Sequence, residues 1–596
     1  SRHRMQLNPI QALKEGGEGR TRNQRIEGVF TLEYKPVKGL SLRAVGGANI
    51  LDGQKKEWRR AYGKYGVDGL ISTAFGQKSP NSVTQNNSHR QYLTGQLIAE
   101  YKGVFGKHDI NVLGGWSAEE NLYEDLQGKR TNIVGNELPA LNLGDTDGWS
   151  NAADENEWAL LSGFMRASYA FAAKYLVEVN FRADASSRFS KKNRWGVFPS
   201  ASVGWRITEE KFMQNQHIFD NLKLRASWGQ LGNQNGLGLY DHIASYNING
   251  YYPFKSELGQ WAVISKLPSE SRTWETVEVK NIAVDMAFLR NRLTVTGEYF
   301  IKKNKDMLVS IEIPSIIGID VPTGNYGELK VKGWEVTVGW QDKIKDFSYG
   351  ARFNLSDQKD KLVDYGVEYN GFVAGVNQKV QGYSLGSIFG YRTDGYFTSE
   401  EEVKNSAAFN KAITGVGDIK YIDKDGDGKI SAPNDLEYLG TTTPRYTFGL
   451  NLTAAWKGFD LGVLLQGVGK RNFYLSSEVM NPYYATWNNF SYKMHNDYWT
   501  PENPNAAFPR YYAGANHNYQ ISDHWLQNAA YVRLKNLQLG YTISPKLTKS
   551  WGIQRLRVYF SGDNLCEYSK LNDNFDPELS LSLIHISEPT RHAQIS

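Results

Sequence analysis

The run Asp423-Lys424-Asp425-Gly426-Asp427-Gly428-Lys429-Ile430-Ser431, with Asp435 beyond it, offers carboxylate oxygens at alternate positions. Hard oxygen ligands at that spacing suit Ca²⁺, with Gly428 permitting a sharp turn and Ile430 placed as an apolar anchor. The run departs from an EF-hand, because position twelve is Asn434 rather than Glu and the flanks read as loop and strand. Two readings stay open. One is a structural Ca²⁺ ion held by Asp423, Asp425, Asp427 and Asp435; the other is an acidic turn closed by its own side-chain hydrogen bonds.

Gly382-Tyr383-Ser384-Leu385-Gly386 has the spacing of a nucleophile elbow. That motif needs a strand-to-helix turn and a downstream His with an orienting acid, whereas Ser387 to Phe397 reads as extended chain. No HExxH, CxxC or phosphate-loop pattern occurs, so no covalent chemistry is expected. His242 and His495 are scattered and read as loop residues. The aromatic-rich stretches around Tyr240, Tyr246, Tyr251-Tyr252, Tyr483, Tyr484, Trp487, Phe490, Tyr511 and Tyr512 sit among Asn, Asp and Gly. Such a mixture stacks on sugar rings and hydrogen-bonds hydroxyls. It also packs loops against one another or covers a bound partner, and both readings stand.

Composition limits the scaffold that positions these groups. The chain has 596 residues, 40% hydrophobic and 22% charged, with a formal net charge of +5, too slight to imply a nucleic-acid partner. Its one cysteine, Cys566, forms no internal disulfide. No run of eighteen or more apolar residues exists and mean hydropathy is −0.52, which excludes membrane-spanning helices. Spanning strands stay allowed, because only every second residue of such a strand faces lipid. Ser1-Arg2-His3-Arg4-Met5 leads into polar sequence without a signal peptide. That start fits a cytoplasmic protein or a piece that begins mid-chain.

Period-two alternation runs from one end to the other. Tyr175, Val177, Val179, Phe181 and Ala183 are interleaved with Glu178, Asn180, Arg182 and Asp184. Leu293 to Lys302, Trp334 to Gln341 and Arg555 to Asp563 repeat the pattern, so each segment has one oily face and one polar face. About seventeen such segments are present, each long enough at a 45° tilt for a bacterial outer membrane. Tight links at Lys35–Gly39, Ala172–Lys174, Arg290-Asn291 and Lys457-Gly458 alternate with long ones near 51–88, 121–156, 231–271, 359–383 and 470–528. That asymmetry predicts a transmembrane antiparallel β-barrel with short periplasmic turns and long extracellular loops. A soluble sandwich or propeller also alternates, but mid-strand Arg, Lys, Glu and Asp suit a wet lumen. Tyr34, Trp205, Tyr299, Trp340 and Trp456 sit at strand ends, where interfacial girdles form.

Several ordered stretches resemble the SusC/RagA family of TonB-dependent outer-membrane transporters. Arg182-Ala183-Asp184-Ala185-Ser186-Ser187-Arg188-Phe189, with Arg194-Trp195-Gly196-Val197-Phe198-Pro199-Ser200 and Gly204-Trp205-Arg206, resembles that family's signature hairpin. Trp274-Glu275 with Asn281 and Asp285, Gly390 to Phe397, Gly417 to Tyr421, Asp497 to Pro504 and Arg533 to Leu537 continue the series. The resemblance implies import of oligosaccharides or peptides, a SusD-like lipoprotein partner, energy from TonB, and residence in outer-membrane lipid.

The resemblance also implies an N-terminal extension, a TonB box and a plug, none of which is visible here. It implies twenty-two strands, so the about seventeen counted here make an incomplete barrel over residues 1–578, with about four strands missing before Ser1 and one at the other end. Residues 579–596, with Leu583-Ile584-His585-Ile586-Ser587-Glu588, match a translated sequencing-library adapter and are set aside as read-through. A siderophore or cobalamin receptor, or a secreted β-rich glycan-binding protein, are the competing readings.

Overall fold

A computed structural model describes residues 9–61, 80–135, 137–254, 257–264, 267–310, 323–366, 372–475, 480–483, 493–572 and 575–578. Tyr484, Trp487, Phe490 and the tail 579–596 lie outside them. Sixteen strands form one antiparallel sheet whose spatial order is the chain order. They are β1 Gly17–Tyr34, β2 Leu40–Arg59, β3 Ser82–Phe105, β4 His108–Thr131, β5 Ser150–Phe171, β6 Tyr175–Ser186, β7 Trp195–Arg206 and β8 Phe219–Asn233. After these come β9 Glu275–Phe288, β10 Leu293–Val309, β11 Gly324–Ile344, β12 Phe347–Tyr365, β13 Arg445–Trp456, β14 Phe459–Lys470, β15 Tyr531–Thr542 and β16 Arg557–Ser569. The count falls one below the seventeen periodic segments. Tyr246–Phe254 and Glu257–Ile264 pair with each other as a separate ribbon outside this sheet.

The chain clusters into two compact units. The first takes residues up to Trp205 with Ser227–Val279 and Asn304–Gly327; the second takes Arg206–Ala226, Lys280–Lys303 and the residues from Glu328 onward. In the first, register lines up side chains across five strands. Leu97, Trp116, Gly163, Ala183 and Val197 form one row, and Ala99, Gly114, Met165, Phe181 and Pro199 the next. Tyr101, Val112, Ala167, Val179 and Ala201 follow, and none of these positions carries Asp, Glu, Lys or Arg. This is the solvent-exposed face: Trp116 is 61% exposed and Phe181 45%.

The rows of the opposite face are more polar: Gln96, Ser117, Ser162 and Asp184, then Ile98, Gly115, Phe164, Arg182 and Phe198, then Glu100, Leu113, Arg166, Asn180 and Ser200, then Lys102, Asn111, Ser168 and Glu178. Ser162 is fully buried and Glu100 and Asp184 nearly so, while Ser168 Oγ donates to Glu178 at 2.8 Å. Apolar side chains outside and hydrogen-bonded polar ones beneath invert the arrangement of a water-bathed sandwich.

The second unit repeats the design. Tyr349, Ala454, Leu461, Leu539 and Phe560 share one row, while Gly350, Thr453, Gly462, Gln538 and Ser561 share a row of the opposite face. At the short-turn end both units place an aromatic row. It reads Phe105, His108, Phe171, Tyr175 and Trp205 in the first, and Phe347, Trp456, Phe459, Tyr541 and Val558 in the second. Aromatics at this level match the interface between hydrocarbon and water.

Both ends of the links near 51–88 and 121–156 are strand rather than loop: β2 runs to Arg59, β3 starts at Ser82, β4 runs to Thr131 and β5 starts at Ser150. Beyond the apolar rows both faces of these strands carry polar residues, as at Gln54 and its neighbour Lys55 and at their partners Asn87 and Asn86, so alternation fades there. The short turns are as expected and are tightly wound. Ala172 and Ala173 have φ of 51° and 55°, and Lys457 and Gly458 of 46° and 93°. Two successive positive φ values give the turn whose twist matches flanking strands, at a cost to residues with a Cβ.

Two outcomes test this layout. Val179→Arg, midway along an exposed apolar row, lowers unfolding free energy in bilayers by about 2–4 kcal/mol, while Asn180→Arg on the opposite face costs far less; equal effects in urea titrations reject the assignment of faces. Replacing Ala172-Ala173 by Asn-Gly raises stability by about 1 kcal/mol, read as a shift of the same unfolding midpoint.

Candidate functional site

Residues 366–444 and 471–530, long excursions of the second unit, hold the Asp-rich run, Ser384 and the tyrosines at 483, 511 and 512. Their described residues share a hydrophobic core. Tyr391, Ile419, Tyr421 and Leu436 come from the first excursion and Phe473, Tyr474, Phe508 and Trp525 from the second, all buried. Short strands tie them locally: Ser387–Tyr391 pairs with Gly375–Gln378 and Leu436–Thr441, and Asn472–Tyr474 pairs with Leu526–Asn528. Tyr391 N donates to Ile521 O at 2.8 Å across the two excursions. A Cβ on Gly390 would stand 2.3 Å from that carbonyl, so only glycine fits there.

Asp418, fully buried, is the polar centre of this core. It accepts from Gly415 N at 2.8 Å, Asn518 Nδ2 at 2.9 Å and Tyr512 Oη at 3.0 Å, and lies 3.0 Å from His517 Nε2. Asp523 makes a second junction, accepting from Thr393 N at 3.0 Å, Thr393 Oγ1 at 2.7 Å and Arg392 at 3.3 Å. Burial pushes the Tyr421, Tyr474 and Tyr519 hydroxyls above their ordinary range and holds His524 below its own. His524 is therefore neutral near pH 7 and donates Nε2–H to Ala507 O at 3.1 Å.

The segment after β16 closes onto the same region. Arg533 of β15, almost wholly buried, pairs with Glu567, with Asp576 at 2.7 Å and with Glu578 at 3.0 Å, and Lys535 meets Glu578 at 2.6 Å. Leu571 enters the core and Phe575 packs against Phe473.

Three of the four aspartates singled out in the sequence converge: ligand atoms of Asp423, Asp425 and Asp435 lie within 4.8 Å of one another. Asp427 is not in the group; its Oδ1 accepts from Lys429 N at 2.8 Å. Asp423 accepts from Gly426 N at 2.7 Å and Gly428 N at 2.8 Å, and Asp435 from Lys424 N at 2.8 Å and Ser431 N at 2.7 Å. Partial burial opposes ionisation of Asp423, but the Gly428 and Gly426 N–H groups outweigh it and hold the carboxyl below its usual range. Each oxygen that accepts one N–H keeps a second lone pair, so the three carboxylates fit a hard divalent cation.

Ser384 Oγ donates to Asp360 at 2.5 Å, and Leu385 N donates to the other oxygen of that carboxylate at 2.8 Å. The glycine-flanked serine thus clamps a turn. Tyr511 donates to His495 O at 2.9 Å and packs edge-on against Tyr483 and at a tilt against Tyr498, while Tyr512 donates to Asp418. Both hydroxyls are spent inside the excursions. Tyr246, Tyr251 and Tyr252, by contrast, stand exposed on the separate ribbon of the first unit. The sequence did not single out Asp523 or Trp525. Their only signal was the unusual aromatic content of segments that also carried turn residues.

A family model described as TonB dependent receptor-like, beta-barrel, matches residues 8–565. TonB-dependent receptor P26 of Formosa agariphila is 30% identical over 496 residues, covering 80% of this chain and 49% of that protein. TonB-dependent receptor SusC of Bacteroides thetaiotaomicron is 28% identical over 442 residues, covering 70% and 41%. The chain spans about half the length of the curated relatives it matches. Among solved structures, the RagAB peptide transporter superposes with a TM-score of 0.80 at 22% identity, covering 94% of this chain and 60% of that one. The chain belongs to the TonB-dependent receptor-like β-barrel family, is of the SusC/RagA type, and resides in the outer membrane.

Proposed function

We propose that this chain forms the barrel wall of an importer that takes up oligosaccharides or peptides, driven by TonB and working with a SusD-like lipoprotein at its long-loop end. The observation that carries the reading is the polar, hydrogen-bonded face beneath the apolar rows. In the second unit that face bounds a cavity of about 930 Å³ lined by Thr294, Thr296, Thr337, Thr453 and Gln538. Those hydroxyl and amide groups, beside Trp340 and Leu461, offer hydrogen bonds to hydrated, polyhydroxylated or amide-bearing solutes. The names of its relatives point the same way, since RagAB is described as a peptide transporter and SusC as a TonB-dependent receptor.

Deleting the gene abolishes growth on one class of oligosaccharide or peptide as the limiting nutrient, and dissipating the proton gradient halts uptake of that labelled nutrient in the wild type. Growth loss confined to iron limitation would instead favour siderophore import, and uptake that persists without TonB would reject the reading. Affinity purification from membranes recovers a lipoprotein partner.

The same reading includes a structural Ca²⁺ ion at Asp423, Asp425 and Asp435, supported by the convergence of their oxygens. The ion offsets the repulsion of three carboxylates and braces the first excursion. Calorimetry gives a Ca²⁺ heat with Kd of about 10⁻⁴–10⁻³ M, the range of extracellular modules, and Asp425→Ala removes it. A wild-type protein without that heat ends the idea.

A further inference from the structure

We infer that the solute passing the polar face of the second unit is an acidic oligosaccharide, and that Arg352 selects its carboxylates; this rests on the import reading and narrows its substrate class. The cavity of about 930 Å³ on that face falls within the ~300–1,000 Å³ of ordinary ligand sites. Arg292, Lys343, Ser348 and Asp460 of its lining sit beside the short turns, so the cavity occupies the short-turn half of the face. Strand register fixes which side chains enter it. Gly350, Thr453, Gly462 and Gln538 share one row of the polar face, and Arg352 and Asn451, paired across β12 and β13, stand two residues along on the same face. Tyr349, Ala454 and Leu461 belong to the apolar row of the other face. Gly462 opens the floor, since a Cβ there would meet nothing within 4 Å.

Charge decides the sign of the solute. The carboxylates that line the cavity are both spent: Asp342 accepts from Arg292 at 3.2 Å and from Lys343 N at 2.7 Å, and Asp460 accepts from Arg557 Nε at 3.0 Å. Asp285 and Glu298, beyond the lining, share Arg225. The Arg352 guanidinium and the Lys343 ammonium, by contrast, have no ion pair and no hydrogen bond among the described residues. Two cations therefore border the cavity without an anion. Of the two, only the arginine offers a planar fork that takes both oxygens of one carboxylate. Its neighbours choose the carrier. The side-chain hydroxyls and amides of Thr337, Asn451, Thr453 and Gln538 are also unbonded among the described residues. None of the lining residues in the two rows is apolar, and Leu464, next to Asn451 in register, lies outside the lining. Sugar hydroxyls find partners on such a wall, whereas the apolar side chains of a peptide gain nothing from it.

The test starts from the nutrient whose use requires the gene, identified by growth of the deletion strain, and measures cellular uptake of that labelled oligosaccharide beside its methyl ester. The ester keeps linkage and length but carries no charge. At limiting concentration the wild type takes up the acid about tenfold faster than the ester, the preference expected of one charge-assisted hydrogen-bonded pair. Arg352→Gln brings the acid-to-ester ratio close to one, and Arg352→Lys, which keeps the charge but loses the fork, restores part of the preference. The ratio does not depend on how much folded protein reaches the membrane, so a variant that folds less well still reports. A required nutrient that is a neutral oligosaccharide or a peptide, or an Arg352→Gln protein with the wild-type ratio, overturns the inference and leaves the import reading standing. A deletion strain that needs no oligosaccharide or peptide overturns both.

Discussion

Hydrocarbon offers a backbone amide no partner, and the rest of this structure follows from that constraint. Every N–H and C=O within an apolar layer must bond to another strand, because an unmet one costs several kcal/mol. The long antiparallel ladders meet that demand. Their register then dictates chemistry, since side chains alternate faces with a period of two and a slip of one residue would carry Asp184 and Arg182 into lipid. The apolar rows are therefore a consequence of register, and register is what the turns and cross-strand pairs have to fix.

Two kinds of feature fix it. The short turns bear positive φ at residues such as Ala172, Arg290 and Lys457, trading local strain for a twist that sets each hairpin in one alignment. At the opposite end of the first unit, the signature hairpin closes by side-chain bonding. Arg182 Nε meets Asp184 at 2.8 Å and its Nη2 reaches Ser162, while Ser186 Oγ accepts from Arg188 N. Phe189 lies 5.0 Å from Trp274, and Trp274 Nε1 donates to Arg194 O at 3.0 Å. Arg182, Asp184, Ser186 and Arg188 of that motif close bonds near the corner where two strands end, which is a structural account of that part of the pattern.

Alternation in Tyr175–Asp184 was legible because one period covers one strand, and mid-strand charge correctly indicated which face is wet. Alternation alone is symmetric; Arg182 and Asp184 broke the tie, because a buried ion pair in an apolar centre is costly whereas a hydrated one is not. The extensions of β2 to β5 left a weaker mark, since polar residues stand on both faces there, as at Gln54 and Lys55 and their partners Asn87 and Asn86. The Asp-rich spacing and Asp435 beyond it were visible, yet the departure of Asp427 from the group depends on how the loop bends. The excursion core was hidden for a different reason. Tyr391, Leu436, Phe473 and Trp525 are far apart in sequence and follow no period, so only the tertiary fold makes them neighbours.

That core also explains why a fully buried carboxylate sits at its centre. An apolar cluster drawn from two long excursions is tolerant of sliding, because hydrophobic contact has no direction. Asp418 removes the tolerance. Its donors come from Gly415 on the first excursion and from Tyr512 and Asn518 on the second, and each alternative arrangement would strand a charge without partners at a cost of several kcal/mol. Apolar burial thus supplies cohesion and the carboxylate supplies alignment. Since neither excursion contains both halves of the core or all the donors to Asp418, the two fold as one body over the long-loop ends of β12 to β15.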